Sequence, residues 1–239
     1  MKHSLKSLAG FLLVFCFTAL ACTIPGTGSS DNGNAEATAV FTDDSATFGI
    51  PTYTFDLEPG STVPGSQLTY VGKSGDLYDV TINGGVAQKR GGDSFIWDGI
   101  VAPGVHANYN LRLLEVFGTL RAGGIVEVTV LNPVPTALSL MPEWPNAIRY
   151  NNILLTHSVA VGETIPGTTM VYDGVSTQGG VSSARLTGLT GHPLFATGDS
   201  ITWIGNLREN AAIRYTFRVA TFSENSLQLA GTAELLVNP

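Results

Sequence analysis

The residues of this 239-residue chain that could do chemistry are four histidines, two cysteines and a scatter of carboxylates. His106, His157 and His192 lie far apart, and none stands at the H-x₃₋₅-H spacing of a metal site. They read as surface polar residues. Asp43-Asp44 and the pair Asp76 and Asp79 could support a calcium ion in a loop, yet no EF-hand spacing surrounds them. Gly174 to Gly180 approaches a nucleophile elbow around Ser176, but Gln178 stands where the second glycine belongs. No phosphate-binding glycine loop occurs. These observations predict a protein that is not an enzyme and that needs no cofactor or metal. Asp93 and Asp199 recur at matching places, and a turn role accounts for them, because aspartate caps nearby backbone there.

Both cysteines, Cys16 and Cys22, fall near the N-terminus, so the body of the chain can form no disulfide and no thiolate site. Lys2 and Lys6 precede an apolar run, Leu8 to Phe17, followed by Ala19-Leu20-Ala21-Cys22. This is the order of a signal peptide, 1–21. An uncleaved anchor is the alternative, although the run is shorter than the roughly 20 residues that span a bilayer. The segment resembles a bacterial lipobox, which implies cleavage before Cys22 and its lipidation; Ala19-Leu20-Ala21 also suits plain secretion. A Gly/Ser/Asn/Thr-rich stretch, 22–36, follows and reads as a flexible tether. The expected address is therefore outside the cytoplasm, lipid-anchored to the cell envelope, or secreted if Cys22 is unmodified. The net charge of −7 argues against nucleic acid as a partner. With 44% hydrophobic and 13% charged residues the chain can bury a core.

The aromatic residues point to the elements. Gly92 to Pro133 shifted by 106 falls on Gly198 to Pro239 without a gap, with 9 identities in 42 positions. Composition alone would give about two or three. Trp97, Gly99, Tyr109 and Arg112 match Trp203, Gly205, Tyr215 and Arg218. Upstream, Thr62 to Gly72 pairs with Thr164 to Gly174 at an offset of 102. The segments 73–91 and 175–197 read as variable loops, and 37–41 and 136–140 as equivalent first strands. The copies are then 37–133 and 134–239, each large enough to hold its own core.

Within a copy the period is two. Ala107, Tyr109, Leu111 and Leu113 alternate with polar residues, as do Ile213, Tyr215, Phe217 and Val219. Pro-Gly, Asn-Gly and Gly-Gly punctuate about seven such strands per copy. The expected fold is all-β: two tandem immunoglobulin-like antiparallel sandwiches, with a closed barrel as the alternative. Parity puts Trp97, Trp203, Tyr109 and Tyr215 in the cores. Trp144, flanked by Pro142 and Pro145, is either wedged between the copies or exposed for binding.

The order Pro64-Gly65, Leu68, Tyr70, then Trp97, Gly99, Ala102-Pro103-Gly104, Tyr109 and Leu111 resembles a known domain. It is the conserved repeat domain of unknown function, number eleven in its series, found in tandem in bacterial and archaeal envelope proteins. Copy two keeps Pro166, Gly167, Tyr172, Trp203, Gly205, Tyr215 and Phe217, but has Arg208-Glu209-Asn210 in place of the Pro-Gly turn. The resemblance implies an extracellular sandwich without catalytic residues. The expected function is a non-enzymatic envelope surface protein, serving as spacer or interaction module, with an envelope protein or glycan as partner. The alternative is a carbohydrate- or peptide-binding module.

Overall fold

The hairpin turns dictate most of the topology. The computed structural model describes residues 39–239, so the expected signal peptide, the tether and Cys22 lie outside the described residues. These residues hold sixteen strands and no helix. Copy one comprises β1 (Val40–Phe41), β2 (Ser45–Leu57), β3 (Leu68–Ser74), β4 (Leu77–Ile82), β5 (Gly85–Lys89), β6 (Ser94–Ala102), β7 (Val105–Val116) and β8 (Thr119–Leu131). Copy two comprises β9 (Thr136–Ala137), β10 (Ile148–Ala160), β11 (Val171–Gln178), β12 (Val181–Thr187), β13 (Leu194–Phe195), β14 (Ser200–Arg208), β15 (Ala211–Phe222) and β16 (Ser226–Val237). All pairings are antiparallel. Each copy has a five-stranded sheet, β1-β2-β8-β7-β6 or β10-β16-β15-β14-β9, and a three-stranded sheet, β3-β4-β5 or β11-β12-β13. The chain is all-β with stacked antiparallel sheets, as the period of two requires.

The strand order is not that of an immunoglobulin domain, which interleaves its strands as A-B-E-D and C-F-G. Here β3-β4-β5 and β6-β7-β8 are both meanders, and β8 returns to pair with β2. The cause is local. Asn83-Gly84, with φ of 52° and 78°, and Phe117-Gly118, with 49° and 83°, are two-residue turns in the left-handed region. Such turns hold consecutive strands side by side in one sheet. For the same reason the segments 73–91 and 175–197 are largely hairpins, not loops.

The internal alignment needs one correction. The amide of Leu131 donates to Gly104 O and that of Asn238 donates to Asn210 O. Gly104 and Asn210 are 106 apart, whereas Leu131 and Asn238 are 107 apart. An irregularity between Val219 and Thr221, together with a longer turn, inserts one residue into copy two. The matching Asn-Pro pairs at 132–133 and 238–239 are therefore out of structural register. Gly124 and Gly231 are the true equivalents in the last strand, for a Cβ on either would strike the backbone of the neighbouring strand. The short strands also differ: β1 lies on the β2 edge, whereas β9 lies on the β14 edge, so they are not equivalent first strands.

The copies are fused. The described residues belong to one compact unit, and the buried side chains of both copies form one cluster. β2 and β10 pack side by side, bringing Phe41 against His157 and Tyr109 against Tyr150. A shared core makes unfolding cooperative. Loss of either tryptophan should therefore destabilise both copies together. We expect coincident fluorescence and circular-dichroism transitions in urea, and a Trp203→Ala variant whose whole transition weakens by roughly 3–5 kcal/mol. Two resolved transitions would show that the copies fold separately.

Candidate functional site

Each repeat builds the same aromatic unit. Trp97 and Trp203 are 5% and 3% exposed, and Tyr109 and Tyr215 are fully buried. Each indole lies over the glycine two residues on in its own strand. A Cβ on Gly99 would sit 2.5 Å from Trp97 Cζ2, and one on Gly205 would overlap the Trp203 ring. The tyrosine stands across the ladder from the tryptophan, Trp97 facing Tyr109 and Trp203 facing Tyr215. The Pro-Gly turn closes over the hydroxyl. Gly65, at φ 77°, leaves room that a Cβ would deny, 2.7 Å from Tyr109 Oη and 2.9 Å from Tyr150 Oη. Gly167 does the same over Tyr215 and Phe41.

The two tyrosines differ in their partners. Tyr109 Oη donates to Pro64 O at 2.7 Å and lies 2.6 Å from Tyr150 Oη, so its hydroxyl joins copy one to copy two. Tyr215 Oη is buried without a partner among the described residues. The pairings Phe48 with Val128 and Tyr150 with Leu235 make Phe48 the counterpart of Tyr150, and Phe48 has no hydroxyl to offer. Burial pushes the Tyr150 phenol up to about 12, with its hydrogen bond to Tyr109 drawing it back. Burial raises the Tyr109 and Tyr215 phenols as well.

His157 is not the surface residue its polarity suggested. Its ring lies between Phe41 and Phe217, with centroids 5.7 and 5.5 Å away, and its Nε2 is buried without a partner among the described residues. Burial holds its pKa below the ordinary 6.5. His106 does face outward, where its Nε2 lies 3.0 Å from Asp98 Oδ1, and Asn108 Nδ2 donates to Asp98 Oδ2 at 2.8 Å. His192 braces its own loop at Leu194. Asp93 and Asp199 accept the amides of Arg90 and Ala196 and so brace matching turns. Trp144 is half-buried. Among the described residues no group of three or more His, Cys, Asp or Glu is placed to hold a metal ion.

The seam between the copies carries a polar latch that the sequence marked only as a departure. Arg208 Nη1 donates to Leu131 O at 2.6 Å, and Asn210 Nδ2 donates to Pro103 O at 3.1 Å. Copy two thus gives up its own Pro-Gly turn and grips that of copy one. On the outer face of the second sheet, Glu234 is nearly buried between Arg149 and Arg214, bonded to both. Two clefts open at the seam. One, about 690 Å³, lies between the Arg208–Asn210 turn and Val134. The other, about 540 Å³, runs from Trp97 and Ile100 to Asn146 and Ile148. Both are seen only once strand register is known, so neither had a sequence signal beyond the altered turn.

Comparison with known proteins finds no matching family model, no matching curated protein and no matching solved structure.

Removing the Tyr109 hydroxyl leaves Pro64 O and Tyr150 Oη without it, so Tyr109→Phe should cost about 1–3 kcal/mol, whereas Tyr215→Phe should be neutral or stabilising. Urea titration of both variants checks the contrast. For His157 the unfolded chain binds the proton more readily than the folded one. Its contribution is therefore complete above pH 6.5 and is lost progressively as the pH falls toward the depressed folded value. A His157→Phe variant should abolish this loss, read as melting temperatures across pH 5 to 8.

Proposed function

We propose that the chain is a non-enzymatic surface protein of the cell envelope, carried on an N-terminal lipid and presenting a rigid pair of fused repeats to an envelope protein or glycan. The observation that carries this reading is the fused seam. Arg208 and Asn210 spend polar side chains on holding copy one in place, and Tyr109 and Tyr150 do the same from the other side. Such holding fixes the relative placement of two clefts, which suits presentation to a partner. Arg208 and Asn210 serve backbone carbonyls, and Tyr109 and Tyr150 serve Pro64 O and each other; none of these four is aimed at a point where a substrate atom would react.

The lipoprotein address rests on the order Lys2, Lys6, Leu8 to Phe17 and Cys22, and the kinship with tandem envelope repeats rests on the paired Trp-x-Gly and Pro-Gly motifs. A second reading, a module binding carbohydrate or peptide, draws support from Ile100 and Phe117, which are 76% and fully exposed. Lipidation of a cysteine supplies about 0.8 kcal/mol per buried CH₂, enough with two or three chains for firm anchoring. Cys22→Ala should therefore move the protein from the membrane to the soluble fraction. Retention of that variant with an uncleaved N-terminus would identify a signal anchor, and a wild type already soluble and unmodified would identify plain secretion.

A further inference from the structure

The two Trp-x-Gly strands are equivalent, but their outer edges are not in the same state. The edge of β14 is covered. β9 pairs with it, Ala137 opposite Gly205 and Thr136 opposite Asn206. On either side the amides of Val134 and Leu138 donate to Leu207 O and Ile204 O, both at 2.8 Å. Gly205 is needed for this as well as for Trp203, because a Cβ there would lie 2.5 Å from Thr136 O. β6 carries the same Trp-x-Gly and is the last strand of its sheet among the described residues. Around Gly99 the closest atoms are all of the Trp97 ring, with no strand alongside. The equivalent edge in copy one therefore keeps its bare glycine and lacks the strand that the glycine admits.

Beside that edge lies the 540 Å³ cleft, bordered by Trp97, Ile100, Gln67 and Ile148. In copy two the indole N–H of Trp203 donates to Thr169 Oγ1 at 3.0 Å. In copy one the residue at that place, 102 positions earlier, is Gln67, and Trp97 Nε1 has no partner among the described residues. Along the outer face of β6, Ile96 and Ile100 are 46% and 76% exposed where copy two has Thr202 and Asn206. A free strand edge with apolar residues beside it is a template for an added strand.

We propose that β6 is the acceptor for an extended polypeptide segment, which adds to its edge as Val134–Leu138 adds to β14 and seats its inward side chains in the cleft over Trp97. The proposal deepens the reading as an interaction module and rests on it. Its occupant is an uncharged strand with a small residue opposite Gly99, as Ala137 is opposite Gly205, whose outward side chains lie along Ile100, Asp98 and Ile96. A second copy of β6 fits less well. Antiparallel pairing centred on Gly99 would set Asp98 of each strand opposite the aliphatic Ile100 of the other, and pairing centred one residue earlier would set Asp98 against Asp98, where like charges are destabilising.

The probe is a synthetic peptide of residues 132–140, Asn-Pro-Val-Pro-Thr-Ala-Leu-Ser-Leu, added to the purified chain. Amide and indole resonances and hydrogen exchange are read out. The expected result is a saturable shift of the Trp97 indole and slowed exchange of β6 amides. Affinity should fall at least roughly tenfold in Ile100→Lys and in Ile96→Lys, because edge lysines block strand addition. Both side chains are exposed, so unchanged melting temperatures are expected alongside. A peptide with proline at the position of Leu138, whose amide donates to Ile204 O in copy two, should not bind. No shift at millimolar peptide would overturn the proposal. So would equal affinity for the lysine variants, β6 amides already protected in the free monomer, or protection that tracks self-association. Any of these outcomes leaves the Cys22→Ala fractionation unaffected, so the envelope reading stands or falls separately.

Discussion

A tryptophan ring laid over a glycine of its own strand is the contact on which the rest of the fold depends. Trp97 over Gly99 and Trp203 over Gly205 fill the space where any other residue would carry a side chain. The ring then meets the tyrosine across the ladder, at centroid distances of 5.8 and 5.9 Å. That tyrosine fixes the height at which the Pro-Gly turn can cross, and the turn needs a second glycine to pass over the hydroxyl. Four residue types at set spacings thus lock strand to strand and sheet to turn. Each member constrains the next, so the unit recurs in both copies while the surfaces around it diverge.

The seam shows how two such units become one body. Each five-stranded sheet presents an apolar inner face wider than its own three-stranded sheet covers. β2 and β10 close the gap by lying against each other. Phe41, His157 and Phe217 fill one side, and Tyr53, Tyr109 and Tyr150 fill the other. Apart from Tyr109, which matches Tyr215, the repeat diverges here: Phe55 stands where copy two has His157, and Phe48 where it has Tyr150, as the strand pairings show. Divergence at the seam makes the two halves complementary instead of identical, in the way that heterologous contacts require.

The strands and the aromatic unit were legible in the sequence because a period of two and a Trp-x-Gly repeat survive divergence. Parity alone carried Tyr109 and Leu111 inward and Asn108 and Asn110 outward. The same parity, read down Ile153, Leu155, His157 and Val159, also points His157 inward; its polarity obscured what its spacing said. The connectivity was not legible, since it depends on whether a turn keeps its strands in one sheet or lets them cross to the other. The register of the last strand was hidden by an Asn-Pro coincidence one residue out of step. The latch was visible only as an oddity, Arg208-Glu209-Asn210 in place of a turn, because its acceptors are backbone oxygens that have no sequence signature.

The pairing of first long strand with last has a mechanical side. Ser45 lies opposite Leu131, and Ile148 opposite Val237. In each copy the chain enters and leaves at the same end of the sheet, on neighbouring antiparallel strands. Tension applied across those two points would open the ladder from that end, one rung after another, instead of shearing many hydrogen bonds at once. Sandwiches that bear load in series need the opposite arrangement, with terminal strands running parallel and pulled lengthwise. Each copy is therefore weak against tension applied across its own two ends.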